Sequence, residues 1–235
     1  MLVSIIIPCF NSKYLEEAVV SCRDVAMNYE IIIIDDCSSI NIPTKSKFPE
    51  SHIKIFRLSA NHGAGYARQY GLNRAFGDLI CFLDSDDIFS KAKKDHIVWH
   101  IDNKHKASCS FYSMGNRVVK SPHSYDLMSY LTTPNIGFST MLICRDLIDS
   151  CNIRFSNRRN RQDTEFNIAI LLNTSIYCYD RVCTQYRSHA DQISKNKAKM
   201  AWKTLQVYIS IPGLSWRVKI KSFINYVING INKHT

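Results

Sequence analysis

Three carboxylates stand together directly after an apolar run. Residues 79–83 are all apolar, and Asp84, Asp86 and Asp87 follow them. Carboxylates this close repel one another unless a cation lies between them. In an extended segment, residues i and i+2 point to the same side, so Asp84 and Asp86 are expected to face one site. Such oxygen ligands suit Mg²⁺ or Mn²⁺, ions that also hold substrate phosphates, although an acidic turn before a helix is the alternative.

Strands that alternate with helices are expected to position these carboxylates. Two further β-rich runs, residues 3–7 and 30–34, each end in polar residues, and segments with helical spacing lie between the runs. This alternation predicts an α/β fold made of βαβ units, with a mostly parallel sheet. Ligands bind at the carboxyl ends of the strands in such sheets. We therefore expect Phe10, Asp36 and the Asp84 cluster to converge on one edge.

A glycine-containing loop, residues 59–68, opens the helix that leads to the acidic cluster. Glycines before a helix let the backbone approach a phosphate, and Arg68 could bind that phosphate. The pattern Gly-x-Gly-x-x-Arg follows the third predicted strand, residues 53–58, so it does not match a dinucleotide fingerprint. The sequence therefore argues against an NAD dehydrogenase. An ordinary surface arginine is the alternative role for Arg68.

Composition bounds the class of protein. The chain has 235 residues, 46% of them hydrophobic and 11% aromatic, which is typical of a globular protein of one large domain or two small halves. Its nine cysteines are scattered singly, which argues against a disulfide framework or a structural zinc site and favours a reducing compartment. The apolar N-terminal run stops at Pro8, too short for a signal peptide, and no stretch approaches a membrane span. We expect a cytoplasmic protein.

Basic residues concentrate at the C-terminal end. The net charge is +10, and residues 192–235 hold eight of the 30 basic residues and none of the 20 acidic ones. Aromatic and aliphatic residues recur there at helical spacing, which predicts amphipathic helices over 191–235. Such helices can lie on an anionic membrane surface, through residues 195–233, or pack on the domain with their lysines in water. Nucleic acid is not an expected partner, because no recognition motif accompanies the charge.

Four motifs resemble those of the family 2 glycosyltransferases. They occupy residues 3–11, 34–39, 61–68 and 76–87, in the family's order and with its spacing. Weaker matches follow at residues 161–166 and 186–194. The resemblance implies the GT-A fold, a Rossmann-like, mostly parallel sheet sandwiched by helices. It also implies an inverting, metal-dependent enzyme that uses nucleotide-diphospho-sugars, similar to small bacterial members that build surface polysaccharides.

By resemblance, a set of residues would form the active site. Phe10 would lie against the nucleobase, most often uracil, and Asp36 would accept a hydrogen bond from it. Arg68 would meet the diphosphate or the floor of the base pocket. Asp163 would be the catalytic base that deprotonates the acceptor hydroxyl. The residues implied in nucleotide-sugar binding are Pro8, Phe10, Asn11, Asp36, Arg68, Asp84, Ser85 and His189, and those implied in holding Mn²⁺ or Mg²⁺ are Asp86, Asp84 and His189.

Asp163 also has a purely structural interpretation. An apolar run follows it, so Asp163 could be the N-cap or the first-turn acid of a helix. The sequence departs from the family pattern at the preceding position, where Gln162 stands in place of the usual acid. It departs again at Cys37, where many family members have glycine. The resemblance nevertheless favours the base assignment for Asp163.

The expected organisation divides the chain into three parts. Residues 1–105 would bind the nucleotide-sugar, residues 106–190 would form the acceptor-binding half of the same domain, and residues 191–235 would form the basic helical tail. In the acceptor half, strands are expected at 107–112, 139–144 and 176–186. Residues 122–137 would shape the acceptor pocket, with Thr132 and Thr133 as hydrogen-bonding groups.

These observations predict a glycosyltransferase that moves a sugar from a nucleotide-diphospho-sugar, UDP-linked by resemblance, to a hydroxyl of a saccharide. The resemblance implies a lipid-linked acceptor in bacterial surface polysaccharide synthesis (O-antigen, capsule or exopolysaccharide), at the inner face of the cytoplasmic membrane. One alternative is a nucleotidyltransferase that makes sugar nucleotides, although residues 8–11 are not the glycine- and arginine-rich loop such enzymes carry. The other is a catalytically silent nucleotide-sugar-binding module, which the intact Asp84, Asp86 and Asp163 count against.

Overall fold

One sheet forms the centre of the protein. The computed structural model describes residues 1–23, 25–43, 47–187 and 197–232. Within these residues the sheet has ten strands. In chain order they are β1 Val3–Cys9, β2 Tyr29–Asp35, β3 Ile53–Arg57, β4 Leu79–Phe82, β5 Ile88–Phe89, β6 Ala107–Met114, β7 Arg117–Val119, β8 Ser124–Tyr125, β9 Leu142–Cys144 and β10 Ile176–Tyr186. The order across the sheet is β3-β2-β1-β4-β9-β6-β10-β5, with β7 paired to β6 and β8 paired to β10.

Helices cover both faces of this sheet. In chain order they are α1 Leu15–Ser21, α2 Ala64–Leu72, α3 Ala92–Asp102, α4 Leu127–Thr132, α5 Arg145–Ser150, α6 Gln162–Leu171, α7 Lys197–Ser210 and α8 Trp216–Asn232, and a 3₁₀ turn spans Phe138–Thr140. Side chains along β1 alternate between two core clusters. Ile6 belongs to the cluster that contains Phe166 of α6, whereas Ile5 and Ile7 belong to the one that contains Leu15 of α1.

The N-terminal half of the sheet is parallel. β1 pairs in parallel with β2 on one side and with β4 on the other, and β2 pairs in parallel with β3. Every residue of β1 and β4 is buried. Because both faces are covered, these strands are continuous apolar runs rather than alternating ones. The α/β class and the mostly parallel sheet predicted from the sequence are confirmed.

The C-terminal half of the sheet is mixed. β9 runs antiparallel to both β4 and β6, so β6 runs in the same direction as β1, and β10 pairs in parallel with β6. The carboxyl end of β10, at Tyr186, therefore lies at the same edge as the carboxyl ends of β1, β2 and β4. The strand expected at 176–186 is confirmed as β10.

The strand expected at 139–144 is wrong in its first half. Only β9 pairs in the sheet, and a 3₁₀ turn precedes it. The N–H of Ser139 donates to the hydroxyl of Tyr186 at 3.0 Å, and the Ser139 hydroxyl donates to the carboxylate of Asp87 at 2.6 Å. These side-chain partners replace ladder hydrogen bonds, and they hold the turn at the edge of the sheet.

The tail forms the predicted helices, α7 and α8, and both contact the domain. Tyr208 of α7 is fully buried, and its hydroxyl donates to the carbonyl of Leu131 at 2.5 Å. Asn229 of α8 donates to the carbonyl of Thr132 at 3.1 Å and to the hydroxyl of Thr133 at 3.3 Å. One side of the tail is thus fixed on α4 and the residue that follows it. No helix in the described part of the chain has both the length and the apolar character to cross a membrane.

Candidate functional site

A pocket opens at the carboxyl ends of β1, β2 and β4. Its lining residues come from these strand ends and from the start of α2: Pro8, Cys9, Phe10, Asp36, Ala64, Ala67, Arg68, Asp84, Ser85 and Asp86. The predicted convergence of the Phe10, Asp36 and Asp84 clusters on one edge is therefore confirmed.

The acidic cluster is a turn, not an extended segment. β4 ends at Phe82, and the N–H of Asp87 donates to the carbonyl of Asp84 at 3.0 Å, which closes the turn. The extended conformation expected for Asp84 to Asp86 is therefore wrong. The expectation that Asp84 and Asp86 face one site is confirmed, because the turn itself borders the pocket and both side chains line it.

A buried arginine stands beside this turn. Arg68 is 4% exposed and forms an ion pair with Asp84, and its guanidinium carbon lies 4.8 Å from the centre of the Phe138 ring. Burial disfavours the charged guanidinium, but Asp84 and Asp163 outweigh that effect and raise the pKa of Arg68. Within the described residues, its Nε and Nη1 have no hydrogen-bond partner. The surface-arginine alternative is wrong, because the guanidinium is buried beside the acidic turn.

Asp87 anchors the turn from inside the domain. Its carboxylate is buried and accepts a hydrogen bond from the Ser139 hydroxyl, which itself accepts one from the N–H of Asp84 at 3.1 Å. Burial, and to a lesser extent the charge of Asp84, raises the pKa of Asp87 to about 8. The sequence-based reasoning assigned Asp87 no separate role and missed Ser139. The contact joins residues 52 positions apart, so no local pattern signals it.

Four phenylalanines pack behind the acidic turn. The ring centre of Phe82 lies 4.9 Å from that of Phe138 and 5.3 Å from that of Phe155, and Phe155 stacks on Phe166 at 4.1 Å. Aromatic pairs contribute about 0.5–1.5 kcal/mol each beyond their buried area. The cluster joins the end of β4, the 3₁₀ turn and α6. It therefore holds the acidic turn in a fixed position relative to α6.

Asp36 fixes the loop that opens α2. Both oxygens of its buried carboxylate accept backbone hydrogen bonds, from the N–H of His62 at 2.8 Å and of Gly63 at 2.7 Å. Gly63 has a φ of 94°, in the region that favours glycine. Each carboxylate oxygen keeps a further lone pair, so Asp36 can still accept a hydrogen bond from a ligand. The adjacent Cys37 has a φ of 63°, a conformation that glycine would adopt without strain.

Gly65 allows the start of α2 to approach α6. A Cβ at this position would lie 2.8 Å from Cγ of Gln162 and 3.2 Å from the carbonyl of Ser156. Both distances are too short for an ordinary contact. The glycine expected to let the backbone approach a phosphate therefore makes room for α6, the helix that carries Asp163.

The loop after β1 supplies Phe10 and Asn11. The Phe10 side chain is 49% exposed and lines the pocket. Asn11 ties two loops together, because its Oδ1 accepts from the N–H of Ser39 at 2.7 Å and its own N–H donates to the Ser38 hydroxyl at 2.9 Å. The predicted contact of Asn11 with the nucleotide stays a prediction.

Asp163 lies in the first turn of α6, as one interpretation of the sequence expected. The N-cap residue is Arg161, with a φ of 64° and no capping side chain, so the N-cap interpretation of Asp163 is wrong. The Asp163 carboxylate accepts a hydrogen bond from the N–H of Thr164 at 2.8 Å. Its charge also acts on the pKa of Arg68. Asp163 therefore lies within electrostatic range of the Arg68–Asp84 pair.

His189 lies outside the described residues, so its contact with a diphosphate or a metal stays a prediction. The described part of its motif ends with Tyr186 and Arg187. Tyr186 accepts the hydrogen bond from Ser139 next to the acidic turn. Arg187 lies over the Tyr14 ring, with its guanidinium carbon 4.4 Å from the ring centre. The beginning of this motif thus reaches the same edge of the sheet.

The donor set fits a divalent cation that is held together with substrate phosphates. Asp84 and Asp86 place carboxylates on the pocket, and both contribute to the raised pKa of Asp87. Among the residues that the structure describes, no three His, Cys, Asp or Glu side chains converge as a complete protein cage. A hard ion such as Mg²⁺ needs no such cage, because one or two carboxylates, water and phosphate oxygens can complete its shell.

Comparison with known proteins assigns the family. The profile of glycosyl transferase family 2 matches residues 4–165, which include the pocket, the acidic turn and Asp163. The chain belongs to glycosyl transferase family 2.

Relatives that match almost the whole chain include bacterial glycosyltransferases. A candidate teichuronic acid biosynthesis glycosyltransferase, TuaG of Bacillus subtilis (strain 168), is 32% identical, over 99% of this chain and 97% of TuaG. The Escherichia coli protein WfgD, a UDP-Glc:alpha-D-GlcNAc-diphosphoundecaprenol beta-1,3-glucosyltransferase, is 28% identical, over 99% of this chain and 95% of WfgD. The similarity therefore extends past the residues matched by the family profile.

Solved structures share the fold. Residues 1–349 of S. aureus TarS in complex with UDP-GlcNAc match with a TM-score of 0.75 at 19% identity, over 99% of this chain and 73% of the TarS chain. The mannosyltransferase PcManGT from Pyrobaculum calidifontis in complex with GDP-Man and Mn²⁺ matches with a TM-score of 0.70 at 16% identity, over 95% and 68% of the two chains. The predicted GT-A fold is confirmed.

Proposed function

We propose that the protein is an inverting glycosyltransferase that transfers a sugar from a UDP-sugar to a hydroxyl of a lipid-linked saccharide during bacterial surface polysaccharide synthesis. One observation carries this proposal: the acidic turn and Arg68 line a pocket at the edge of the sheet, and the charge of Asp163 acts on Arg68. The name of WfgD, which specifies UDP-Glc and a diphosphoundecaprenol-linked acceptor, supports these substrate classes.

The nucleoside of the donor would occupy the pocket beside Phe10. The half-exposed ring offers a face on which a base can stack. Asp36, already held by two backbone N–H groups, would accept a hydrogen bond from the ring N–H of uracil. Pro8 and Ser85 would complete the walls of this subsite.

The diphosphate would lie against the acidic turn and Arg68. Asp84 and Asp86 would hold Mn²⁺ or Mg²⁺, which when bound neutralises the charge that grows on the leaving group. Arg68 would add a second, fixed positive charge beside the diphosphate. Its ion pair with Asp84 and its contact with Phe138 hold the guanidinium in place, so it needs no rearrangement as the bond breaks.

Asp163 would take the proton of the acceptor hydroxyl as that oxygen attacks the anomeric carbon. A positioned base typically supplies about 10²–10⁴-fold in rate. The attacking oxygen and the departing diphosphate are on opposite faces of the sugar, so a single displacement inverts the anomeric configuration. No second carboxylate nucleophile is required, in contrast to retaining glycoside hydrolysis.

A lipid-linked acceptor brings the reaction to a membrane surface. We place the enzyme at the inner face of the cytoplasmic membrane, in peripheral contact through residues 195–233. The excess of basic residues in this tail supports contact with anionic lipids.

Product analysis tests the proposed function. The protein would be given a panel of sugar nucleotides and an undecaprenyl-diphosphate-linked saccharide, with and without Mn²⁺. We expect release of UDP, a requirement for the metal, and an NMR spectrum that shows a β-linked product from an α-linked donor. Release of pyrophosphate in a parallel assay with a nucleoside triphosphate and a sugar 1-phosphate would instead identify a nucleotidyltransferase, and donor binding without turnover would identify a silent binding module.

A further inference from the structure

A row of exposed apolar side chains runs along α8. Trp216, Ile220, Ile224 and Ile228 are 57%, 38%, 50% and 48% exposed. Residues four positions apart lie on one face of a helix, so these side chains form a continuous surface, here named the α8 stripe. Single exposed apolar residues are common on proteins, whereas a contiguous apolar surface marks an interaction site.

The opposite side of α8 packs on the rest of the protein. The ring centre of Phe223 lies 6.4 Å from that of Tyr208 in α7 and 6.1 Å from that of Tyr226. Asn229 donates hydrogen bonds to the carbonyl of Thr132 and the hydroxyl of the next residue. The helix is therefore held by one face and presents the α8 stripe outward.

Positive charge borders the α8 stripe. Arg217 and Lys221 are exposed and each follows a stripe residue by one position, which puts them along one side of the stripe. Residues 192–235 contain no acidic residue. An apolar surface with cations beside it complements an anionic bilayer. A parallel contact with a second copy of this face would bring these cations together, whereas an anionic bilayer complements them.

We propose that α8 lies in the plane of an anionic lipid bilayer, with the α8 stripe inserted at the headgroup level and Arg217 and Lys221 beside it. The inference rests on the proposed function, because a lipid-linked acceptor presents its sugar at this surface. α8 has 17 residues and is therefore about 25 Å long, a length that suits an interfacial helix.

The same helix also contacts the segment that carries the proposed base. Nη2 of Arg161 donates to the hydroxyl of Tyr226 at 3.0 Å, and Gln162 and Asp163 follow Arg161 directly. Docking of α8 would therefore set the position of Asp163 relative to the membrane plane. In this arrangement Tyr226 is a positioning residue that links the bilayer surface to the site.

Vesicle binding by the full chain tests the proposal. Flotation with vesicles of phosphatidylcholine alone, or mixed with phosphatidylglycerol, should show binding to the mixed vesicles that weakens as salt is added. Ile224→Glu should lower the partition coefficient by about tenfold or more, since it replaces an inserted side chain with a charge. Met27→Glu is the matched control, because Met27 is a fully exposed apolar residue away from the tail. This variant should bind as the wild type does.

Turnover in solution separates this proposal from the proposed function. With a water-soluble acceptor, wild type and Ile224→Glu should turn over donor equally, because Ile224 is on the outer face of α8. Normal turnover without vesicle binding, or equal binding by wild type and Ile224→Glu, would overturn the docking proposal alone. A dimer in analytical ultracentrifugation that Ile224→Glu dissociates would also overturn it. Vesicle binding by a protein that turns over no donor would count against the proposed function only.

Discussion

The donor and acceptor sides of the site are built in different ways. On the donor side, Phe10, Asp36 and Asp84 follow the ends of three neighbouring parallel strands, so the order of the strands alone brings them together. On the acceptor side, Asp163 lies in the first turn of a helix that is held by contacts between side chains far apart in the chain. The donor side therefore depends on backbone topology, and the acceptor side depends on individual side chains.

Two contacts at the start of α6 illustrate the second kind of construction. Gln162 packs against the position where Gly65 has no Cβ, and Arg161 binds the Tyr226 hydroxyl. Single substitutions at such contacts should shift the base without unfolding the sheet. Substitutions at the strand ends should remove a chemical group and leave the architecture intact.

Removal of a carboxylate from the acidic turn should give the largest effect on the donor side. We expect Asp86→Asn to lower turnover by about 10²-fold or more, because one ligand of the ion that stabilises the leaving group is lost. The Mn²⁺ concentration needed for half-maximal rate should rise. A titration of rate against Mn²⁺ measures both, with Asp102→Asn at the exposed end of α3 as the control. An unchanged response to Mn²⁺ would exclude Asp86 as a ligand.

Loss of the buried Arg68, which lies between the two sides of the site, should lower the stability of the whole protein. We expect Arg68→Met to lower the free energy of unfolding by about 3 kcal/mol, since Asp84 loses its partner and part of its charge is buried. Urea denaturation measures this change. Arg23→Met breaks the more exposed pair with Glu50 and should cost about 1 kcal/mol or less. Equal losses in the two variants would contradict the role given to Arg68.

A larger side chain between α2 and α6 should displace α6 and so disturb the acceptor side of the site. A Cβ at Gly65 meets Gln162, so Gly65→Ala should lower the free energy of unfolding by about 1–3 kcal/mol and also reduce turnover. Denaturation and steady-state kinetics measure the two effects. Addition of Gln162→Ala should restore part of both, because it removes the nearest atom. No recovery in the double variant would locate the strain elsewhere.

Acid should destabilise the protein through a histidine beneath the acceptor half. His100 is buried, its Nδ1 lies 2.7 Å from the Ser108 hydroxyl, and burial lowers its pKa from 6.5 to about 3. As pH falls, His100 therefore becomes protonated in the unfolded chain before it does in the folded protein. Protonation stabilises the unfolded chain, so the folded protein loses stability as pH falls from 6.5 towards 3. We expect a loss of about 1–2 kcal/mol between pH 7 and pH 5. Denaturation at several pH values should show a smaller slope for His100→Gln, and equal slopes would refute this assignment.

The regular secondary structure of the parallel half of the sheet could be predicted from the sequence. Buried parallel strands are continuous apolar runs, so β1, β2 and β4 and the polar residues at their ends could be located from local pattern. The family resemblance added the correct fold. The expected edge of the sheet carries the pocket, with Asp84, Asp86 and Arg68 along it.

The turns that border the site could not be predicted in the same way. The 3₁₀ turn at 138–140 replaces half of a predicted strand, because Ser139 bonds to Asp87 and Tyr186. The acidic cluster likewise forms a turn in which alternation along a strand does not apply. Each of these features depends on a pair of residues distant in the chain, and a single sequence gives no local signal for such pairs. The outward face of α8 also needed the structure, since helical spacing alone does not say which side packs.

The most direct test concerns the base at the junction of the two sides. Asp163→Asn retains size and removes the negative charge, so we expect turnover to fall by about 10²–10⁴-fold while the dissociation constant of the UDP-sugar stays within about twofold. Asp95→Asn, in the first turn of α3, is the matched control and should retain full activity. Transfer by Asp163→Asn at a near-normal rate, with donor bound normally, would contradict the central claim that this carboxylate deprotonates the acceptor.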